Sequence, residues 1–405
     1  MKKIKKIIKR NKTIYNIILS VSNIINSIPY LIVFNYFKLK KIQNNKIVIN
    51  NYYNKGYGDN AKYICEYLIN NDLINQYDVV WICKKKYFST IPECIRKIEE
   101  GTIKSYYELT TSKIWIDNCR KKSYIKKRKG QVYIQLWHGG IGMKKVEKMA
   151  EDTLNIEYIR NAKKDSLMID YAISNSLYRT NIFKNYFWYS GEILEYGCPR
   201  NDIFFNNNIK DRIKDKISLK YGLSKDEHII LYAPTFRKSY YFNYESFDFR
   251  KLIESMEKKY KQKYKLFIRL HSATKFQLNV NNSKVIDVTE YPDSDELLLI
   301  SDIIISDFSS IIFDALYTDS KKYLYAPDIN LYNKDRGLNV EYEKLPFCIS
   351  YNSDELIENI LNEKSAAYYN KEKKYKLAMN LKDDGQASKR IVKLIAKIVE
   401  GEKNG

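Results

Sequence analysis

The fold is decided by the stretch KIVINNYY (residues 46–53), DNAKYICEYLINN (59–71) and YDVVWIC (77–83). The first and third runs are short and rich in β-branched and aromatic residues, which is typical of buried strands. The middle run carries apolar residues at helical spacing. A strand, a helix and a strand in this order predict a parallel sheet with a crossover helix.

The same alternation continues along the chain, on both sides of a boundary that we expect between Gly197 and Phe205. The further strand-like runs are SKIWIDN (112–118), QVYIQLW (131–137), HIILYAP (228–234), YKLFIRLH (264–271), KVIDVT (284–289), DIIISDFSS (302–310) and KKYLYAP (321–327). We therefore predict an α/β protein with two doubly wound, Rossmann-like domains, residues 46–200 and 201–405, the second of which ends in helices. Ligands of such sheets bind beyond the carboxyl ends of the strands, in the cleft.

The composition limits the classes of ligand and site that the protein can have. Lys and Arg total 70 against 48 Asp and Glu, and the net charge of +22 attracts phosphate esters, acidic lipid head groups or nucleic acid. The sequence has no RNA-binding fingerprint, so we expect no nucleic-acid partner. Its six cysteines are scattered without a CxxC pair, which indicates reduced cytoplasmic thiols and no zinc site. We also see no carboxylate cluster of metal-ligand type, and we expect neither a metal nor a cofactor.

Residues 1–45 are predicted to form a membrane-associating segment. The basic leader MKKIKKIIKRNK (1–12) runs into an uncharged stretch (13–37) that is followed by three lysines, Lys38, Lys40 and Lys41. Many polar residues make this stretch a poor bilayer span, so an interfacial position at a cytoplasmic membrane face is favoured. Flanking lysines contribute roughly 1 kcal/mol each near an anionic leaflet. A basic leader helix packed on the body, and a true span, are the alternatives.

The run that ends at Trp137 delivers His138 into the glycine-rich turn HGGIG, ahead of a helix expected near Met143. A histidine at the carboxyl end of a strand is placed to act as a general base on a bound ligand. Lys144 and Lys145 are expected to supply positive charge in the first helical turn. The turn is not a P-loop, because GK[ST] is absent. A purely structural, hydrogen-bonding role for the histidine is the alternative.

His271 repeats this arrangement at the end of the run that carries Arg269, so two of the three histidines follow strands, one in each predicted domain. This coincidence favours a shared cleft. His228 precedes a strand beside acidic residues, and we assign it no catalytic role. The segment LYAPTFR adds Thr235 and Arg237, whose hydroxyl and guanidinium suit phosphate oxygens.

The segment SDFSS (306–310) lies between a strand and an apolar-periodic helix. The free N–H groups of that helix and the hydroxyls of Ser309 and Ser310 would receive an anion. A simple capping role for Ser309 or Asp307 is the alternative.

A series of segments in the same order resembles the CDP-glycerol glycerophosphotransferases, the teichoic-acid primases and polymerases, between about Lys55 and Ser388. The segments are NKGYGDNAKYI, QLWHGGIGMKK, YAISNSLYRTNIF, EYGCPRND, LYAPTFR, RLHS, DVTEYPDSDELLLISDIIISDFSSIIFDAL, DRGLNVEYEKLPFCI and DDGQASKRI. The resemblance implies a GT-B architecture, two Rossmann-like domains with parallel sheets facing a cleft. The order of the segments is more specific than any one of them.

The resemblance also implies roles for single residues. His138 would be the base on the acceptor hydroxyl, and His271 would contact the donor phosphates. The pyrophosphate would be held by Thr235, Arg237, Asp307, Ser309 and Ser310. Further nucleotide or acceptor contacts are expected from Gly139, Lys144, Arg269, Asp287, Thr289, Arg336 and Asp59.

The chain departs from the family pattern at three places. Gly140, Ile141 and Gly142 stand where many members have Thr-Pro, Ser272 replaces a proline, and Phe308 replaces the usual tyrosine. None of these changes removes a predicted catalytic group. The altered turn after His138 leaves the identity of the acceptor open.

The expected activity is transfer of glycerol phosphate, or a related polyol phosphate, from a CDP-activated donor to a hydroxyl of a membrane-linked glycan or teichoic-acid-type acceptor. CMP would be released at the inner face of the bacterial plasma membrane, where the enzyme is peripheral. The alternatives are a GT-B glycosyltransferase that uses a nucleotide sugar, and a non-catalytic basic membrane-binding protein. Wall and capsular acceptors, and glycerol and ribitol donors, are not distinguished.

Overall fold

The structure is a computed structural model, and it describes residues 12–206, 208–237, 240–244, 247–271, 274, 282–362 and 365–401. Most of the basic leader and Ser272 lie outside the described residues. The predicted α/β class is confirmed, because the described chain builds two sheets of parallel strands with helices between them.

The first sheet has seven strands: β1 (Gln43–Asn50), β2 (Asp78–Cys83), β3 (Arg96–Glu99), β4 (Ser112–Asp117), β5 (Val132–Gln135), β6 (Tyr171–Ile173) and β7 (Glu192–Leu194). Their order is β3-β2-β1-β4-β5-β6-β7, and neighbouring strands pair in parallel. The helices along this part of the chain are α1 (Lys12–Phe37), α2 (Asp59–Asn70), α3 (Ile103–Thr111), α4 (Ile156–Ser166) and α5 (Leu177–Tyr186).

The strand β1 shows why these residues form a central strand. Ile47 and Ile49 pack in one hydrophobic cluster, with Trp81, and Val48 packs in another, with Trp115. Since successive side chains of a strand point to opposite faces, β1 is apolar on both faces. This pattern is the one that parallel sheets covered on both sides require.

The second sheet has six strands: β8 (Glu227–Tyr232), β9 (Lys263–Ile268), β10 (Val285–Asp287), β11 (Ile303–Ser306), β12 (Lys321–Tyr325) and β13 (Cys348–Ser350). Their order is β10-β9-β8-β11-β12-β13. The remaining helices are α6 (Lys210–Tyr221), α7 (Phe249–Tyr260), α8 (Ser294–Ile300), α9 (Ile311–Asp314), α10 (Ile329–Arg336), α11 (Ser353–Asn362), α12 (Ser365–Met379) and α13 (Ala387–Glu400).

Four strands were not predicted from the sequence, namely β3, β6, β7 and β13. Each is only three or four residues long. A run this short shows no measurable alternation, so its pairing with a neighbouring strand defines it.

The helix expected near Met143 does not form. Residues 139–145 follow an irregular path with several bends and bond to the segment after Arg336: Lys145 N donates to the Gly337 carbonyl at 3.2 Å, and Asn339 N donates to the Met143 carbonyl at 2.9 Å. The next helical turn is the 3₁₀ helix Glu147–Thr153. Glycines disfavour a helix here, and two of the backbone groups bond to the segment after Arg336 instead.

The chain divides into two compact units. The first comprises the residues up to His138, Val146–Arg200 and the residues from Gln386 onward, and the second comprises Gly139–Lys145 and Asn201–Gly385. The main division lies between Arg200 and Asn201. The turn after His138 belongs to the second unit, and the last helix belongs to the first.

Helix α13 joins the first unit through its apolar face. Ile391 and Ile395 are fully buried in the same cluster as Ile47 and Trp81 of the first sheet. The guanidinium of Arg390 also donates to the Tyr196 carbonyl at 3.1 Å. Local sequence shows the amphipathic period of this helix but does not indicate which sheet it covers.

Helix α1 packs on the first unit through Tyr30. Tyr30 is fully buried, and its hydroxyl accepts a hydrogen bond from Lys126 N at 3.1 Å. The ring of Tyr30 meets Tyr106 of α3 edge to face, with 5.0 Å between the ring centroids. Large apolar side chains elsewhere on α1 are exposed, namely Ile18, Val21, Ile24, Ile25, Ile28, Ile32 and Tyr36.

Within the described part of the chain, no helix combines the length and the apolar character needed to cross a bilayer.

We expect Ile395→Ala to lower the free energy of unfolding of the first unit by about 2–5 kcal/mol, because it leaves a cavity in a packed core. Denaturant titration followed by tryptophan fluorescence reads this unit, since Trp81, Trp115, Trp137 and Trp188 are the four tryptophans and all belong to it. The matched control Lys393→Ala, at an exposed position of the same helix, should change stability by less than about 0.5 kcal/mol. A tryptophan transition that Ile395→Ala leaves unmoved would contradict the placement of α13.

Candidate active site

His138 follows β5 and has a defined protonation pattern. Its Nδ1 lies 2.7 Å from the main-chain oxygen of Asn118. A carbonyl oxygen only accepts hydrogen bonds, so Nδ1 carries the proton and the neutral ring has its lone pair on Nε2. The ring of Trp137 stacks on the imidazole at 4.5 Å, and the ring of Tyr52 meets it edge-on at 5.4 Å. Nε2 is therefore the basic nitrogen of the site.

A sharp turn of the backbone brings His138 to this place. Trp137 has a φ of 53°, a left-handed conformation that is rare for a bulky residue. The side chain of Asn60, at the start of α2, donates to the Trp137 carbonyl at 3.1 Å and accepts from Arg200 N at 3.1 Å. Gln135 accepts a hydrogen bond from Trp137 N at 2.9 Å. Strained backbone held by buried hydrogen bonds is common at active sites.

The surroundings of His138 favour its neutral form. Burial lowers the pKa of His138, and the positive charges of Arg179 and Arg200 lower it further. The hydrogen bond to Asn118 and the carboxylate of Asp59 act in the opposite direction without reversing the shift. The imidazole is therefore unprotonated near neutral pH, as a general base must be.

Asp59, predicted as a ligand contact, forms an ion pair with Arg200 at 3.0 Å. Arg179, which the sequence analysis did not single out, is buried on α5, where its guanidinium lies 5.5 Å from the ring of Phe183. The sequence holds one indication that Arg179 lies near His138. The strand before α5 would end at the same sheet edge as β5 if the two strands were neighbours. That adjacency is seen only in the sheet order.

In the second unit, Arg237 is the centre of a buried ion-pair cluster. Its guanidinium donates to Asp307 at 2.7 Å and to Asp328 at 2.7 and 2.8 Å. It also donates to the Thr235 carbonyl at 2.6 Å, and its side chain is 1% exposed. Asp307 in turn accepts from Thr235 N at 2.8 Å. Arg237 and Asp307, both predicted to bind phosphate, thus satisfy each other and hold the backbone of this loop.

The turn SDFSS is followed by a shorter helix than the sequence predicts. Helix α9 has four residues, and Ser310 at its start makes no side-chain capping bond. The hydroxyl of Ser309 lies 3.5 Å from Ile311 N. The carboxylate of Asp307 accepts from Phe308 N and Thr235 N and does not cap the helix. So short a helix has a weak dipole, and the serine hydroxyls are therefore the groups of this turn that can donate hydrogen bonds to an anion.

Thr235 and Lys144, both in the second unit, each have a polar group without a partner among the described residues. The hydroxyl of Thr235 is buried without a hydrogen bond, and the ammonium of Lys144 has neither a hydrogen bond nor an ion pair. Lys144 pairs its backbone with Leu338, and its Nζ lies 5.9 Å from the centroid of the Tyr332 ring. Burial lowers the pKa of Lys144 to about 8, against the raising effect of Asp307 and with a further lowering by Arg336.

The other predicted site residues of the second unit make contacts of different kinds. His271 is exposed, and its ring stacks on that of Phe236 with 5.9 Å between centroids. Burial lowers the pKa of Arg269, whose guanidinium donates to the Tyr291 carbonyl at 2.5 Å. Asp287 accepts from Thr289 N at 2.8 Å, and the Thr289 hydroxyl accepts from Leu270 N at 3.0 Å, so both shape their own loop.

Gly139 is half-buried and Arg336 is exposed at the end of α10. In the described part of the chain, no group of three or more His, Cys, Asp or Glu side chains is arranged to hold a metal ion.

Comparison with known proteins adds to this geometry. The family model of the CDP-glycerol:poly(glycerophosphate) glycerophosphotransferases matches residues 32–397. The teichoic acid glycerol-phosphate transferase of Staphylococcus aureus is 30% identical over 396 residues, which are 92% of this chain and 99% of that protein. The teichoic acid poly(glycerol phosphate) polymerase of Bacillus spizizenii is 30% identical over 347 residues, 83% of this chain and 88% of that protein.

The poly(glycerol phosphate) polymerase of Staphylococcus epidermidis is 31% identical over 315 residues, but these make up only 43% of that longer protein and 74% of this chain. Among solved structures, the wall teichoic acid polymerase TagF superposes with a TM-score of 0.82 at 28% identity, over 97% of this chain and 98% of that chain. A histidine-to-asparagine variant of TagF soaked with CDPG gives a TM-score of 0.81. The predicted resemblance and fold class are confirmed.

Arg237 has ion-pair partners and Lys144 has none among the described residues, so substitution of the two cations should affect protein stability differently. Arg237→Met leaves two buried carboxylates without their cation, and we expect it to lower the free energy of unfolding by about 3–5 kcal/mol. Lys144→Met removes a half-buried ammonium that has no ion-pair partner among the described residues, so stability should stay the same or rise. Differential scanning calorimetry of both variants checks this, and equal losses would contradict the roles given to the two cations.

Proposed function

Because the chain belongs to the CDP-glycerol:poly(glycerophosphate) glycerophosphotransferase family, we propose that it transfers glycerol phosphate from CDP-glycerol to a hydroxyl of a teichoic-acid-type acceptor. The observation that carries the proposal is His138, a neutral imidazole with its lone pair on Nε2 at the end of a central strand. The relatives named for glycerol-phosphate transfer and polymerisation support the donor and the acceptor class. The reaction is a phosphotransfer, and CMP is the leaving group.

In the proposed mechanism, Nε2 of His138 accepts the proton of the acceptor hydroxyl. The oxygen attacks the β-phosphorus of CDP-glycerol, forming the new phosphodiester bond. The bond between this phosphorus and the bridging oxygen breaks, and the electron pair leaves with CMP. Positioning and electrostatic stabilisation of the phosphoryl oxygens supply most of the remaining catalysis in reactions of this kind.

We assign the donor phosphates to groups of the second unit that still have hydrogen-bonding capacity. Lys144 and Thr235 are the first of these, since neither the ammonium nor the hydroxyl has a partner among the described residues. Ser309, Ser310, Arg336 and His271 complete the proposed set. Arg237 and Asp307 act by holding the loop that presents Thr235. We also propose that Arg269, Asp287 and Thr289 contact the cytidine and that Gly139 and Asp59 contact substrate.

We further propose that the protein is peripheral at the inner face of the plasma membrane, where α1 lies in the lipid interface and a lipid-linked acceptor is within reach. The support is the exposed apolar side of α1, which includes Ile24 and Ile28, and the lysines that follow it at positions 38, 40 and 41. Apolar burial in the head-group region and attraction of lysines to anionic lipid act together in such helices.

The first test is CMP release from CDP-glycerol with a lipid-linked acceptor. We expect His138→Ala to lower kcat by about 10²- to 10⁴-fold, since a general base contributes this much. His228→Ala is the matched control, because His228 pairs with Asp302 at 3.2 Å and should not affect turnover. Consumption of a UDP-sugar in place of CDP-glycerol or CDP-ribitol would replace the proposal by a glycosyltransferase.

The membrane proposal is tested by flotation with vesicles that contain an anionic phospholipid. We expect the double variant Ile24→Asn, Ile28→Asn to bind at least about tenfold more weakly, because two apolar side chains no longer enter the interface. Leu219→Asn is the matched control, since Leu219 is 89% exposed on α6 of the second unit. Binding that is equal for the double variant and the wild type would show that α1 does not mediate attachment.

A further inference from the structure

Asn118 connects His138 with the loop between β1 and α2. It directly follows β4 and is fully buried. Its main-chain oxygen receives the Nδ1 hydrogen bond of His138. Its side chain bonds to the loop instead: Oδ1 accepts from Tyr52 N at 2.7 Å, and Nδ2 donates to the side chain of Asn51 at 2.8 Å. One residue thus bonds both to the proposed base and to the loop beside it.

The loop between β1 and α2 has a strained backbone, and these hydrogen bonds hold it in that conformation. Tyr52, Tyr53 and Asn54 have φ values of 41°, 57° and 61°, three consecutive non-glycine residues in the left-handed region. Each such residue costs of order 1 kcal/mol, so the loop keeps this shape only while its surroundings hold it. Asn51 contributes by donating to the Gly56 carbonyl at 3.0 Å. Tyr52 reaches the imidazole of His138 as a result.

We propose that Asn118 is the positioning residue of His138, a role that rests on the proposed function. Its main-chain oxygen selects the tautomer with the lone pair on Nε2. Its side-chain amide holds the loop so that the Tyr52 ring meets the imidazole edge-on. Asn118 itself does not touch substrate. It keeps the base in one orientation and one tautomer between turnovers.

The geometry supports this role over that of a structural asparagine alone. The register of the sheet pairs Asp117 with Gln135, so Asn118 and the turn after β5 start from neighbouring positions. Stacking on Trp137 restrains the plane of the imidazole, and the bond to Asn118 removes the remaining 180° ambiguity of the ring. Misplacing a catalytic group by about 1 Å lowers the rate by about 10²-fold.

Other charged or titratable groups also act on His138, and substitution of Asn118 replaces none of them. They are Tyr52, Asp59, Cys119 (Sγ 3.7 Å from Nδ1), Arg179 and Arg200. In Asn118→Ala, which adds no charge, a change of the pKa of His138 is therefore attributable to the position of the ring or of the loop.

The direct test is NMR of protein labelled with ¹⁵N-histidine, which needs no substrate. The chain has three histidines, and His138→Gln identifies the signals of His138. We expect wild-type His138 to carry its proton on Nδ1 at a pH above its pKa. Asn118→Ala keeps this main-chain oxygen but releases the loop, so the ring should lose its fixed position against the oxygen and populate both tautomers. A wild-type ring that carries its proton on Nε2 overturns the proposal, whichever variants fold.

Asn118→Asp provides a second, more conservative variant. It keeps an oxygen that accepts from Tyr52 N, and it adds a negative charge beside the imidazole. We expect the pKa of His138 to rise, and the acidic limb of the kcat profile to move to higher pH in the same direction. If the side chain at position 118 did not act on the imidazole, this limb would stay in place.

Kinetics complete the test. Asn118→Ala should lower kcat by about 10²-fold with the KM for CDP-glycerol unchanged, because the donor groups are in the other unit. The matched control is Asn359→Ala, which removes a hydrogen bond to Ser350 at 2.9 Å in the second unit and should leave kcat and the tautomer unchanged. Unchanged tautomer, pKa and kcat in both Asn118 variants overturn the role of Asn118. Failure of the wild type to release CMP would overturn the proposed function alone, since the NMR result does not depend on activity.

Discussion

The parallel pairing of β4 with β5 is the constraint on which the candidate site depends. The register sets Asp117 opposite Gln135, and Leu136 N donates to the Asp117 carbonyl at 2.8 Å. Both strands end at the same edge of the sheet, so the residues that follow them, Asn118 and His138, meet there. A slip of one residue would send each side chain to the opposite face and separate the imidazole from its carbonyl partner. The tautomer of His138 is thus a consequence of strand register.

Buried charge organises both units, in different ways. In the first unit, Arg200 is paired with Asp59, and the positive charge near His138 helps to keep the imidazole neutral. In the second unit, Arg237 is committed to two carboxylates, while Lys144 stays without an ion-pair partner among the described residues. An arginine that is fully hydrogen-bonded holds a loop, whereas a half-buried ammonium with free donors is available to a phosphate. The distinction lies in how many donors are already used.

Helices at the two ends of the chain show how the surroundings of an apolar face decide its role. The apolar face of α13 completes the core around Ile47 and Trp81. Helix α1 buries Tyr30 but leaves several isoleucines exposed. These exposed isoleucines contribute nothing to the packing of the core. Equally apolar runs in one sequence therefore serve a core in one case and, as we propose, a lipid surface in the other.

The sequence by itself determined the α/β class, the long strands, the family and the identity of His138 as the base candidate. These follow from local periodicity and from residues that are close in the chain, which any segment expresses without its neighbours. The tertiary structure alone decided the short strands β6 and β7, the non-helical course of residues 139–145 and the place of α13. It also decided that Arg237 is committed to Asp307 and Asp328, and that Arg179, Asn60 and Asn118 surround the base. These features depend on hydrogen bonds and burial between residues far apart in sequence, and local pattern carries no record of which partner a side chain will meet.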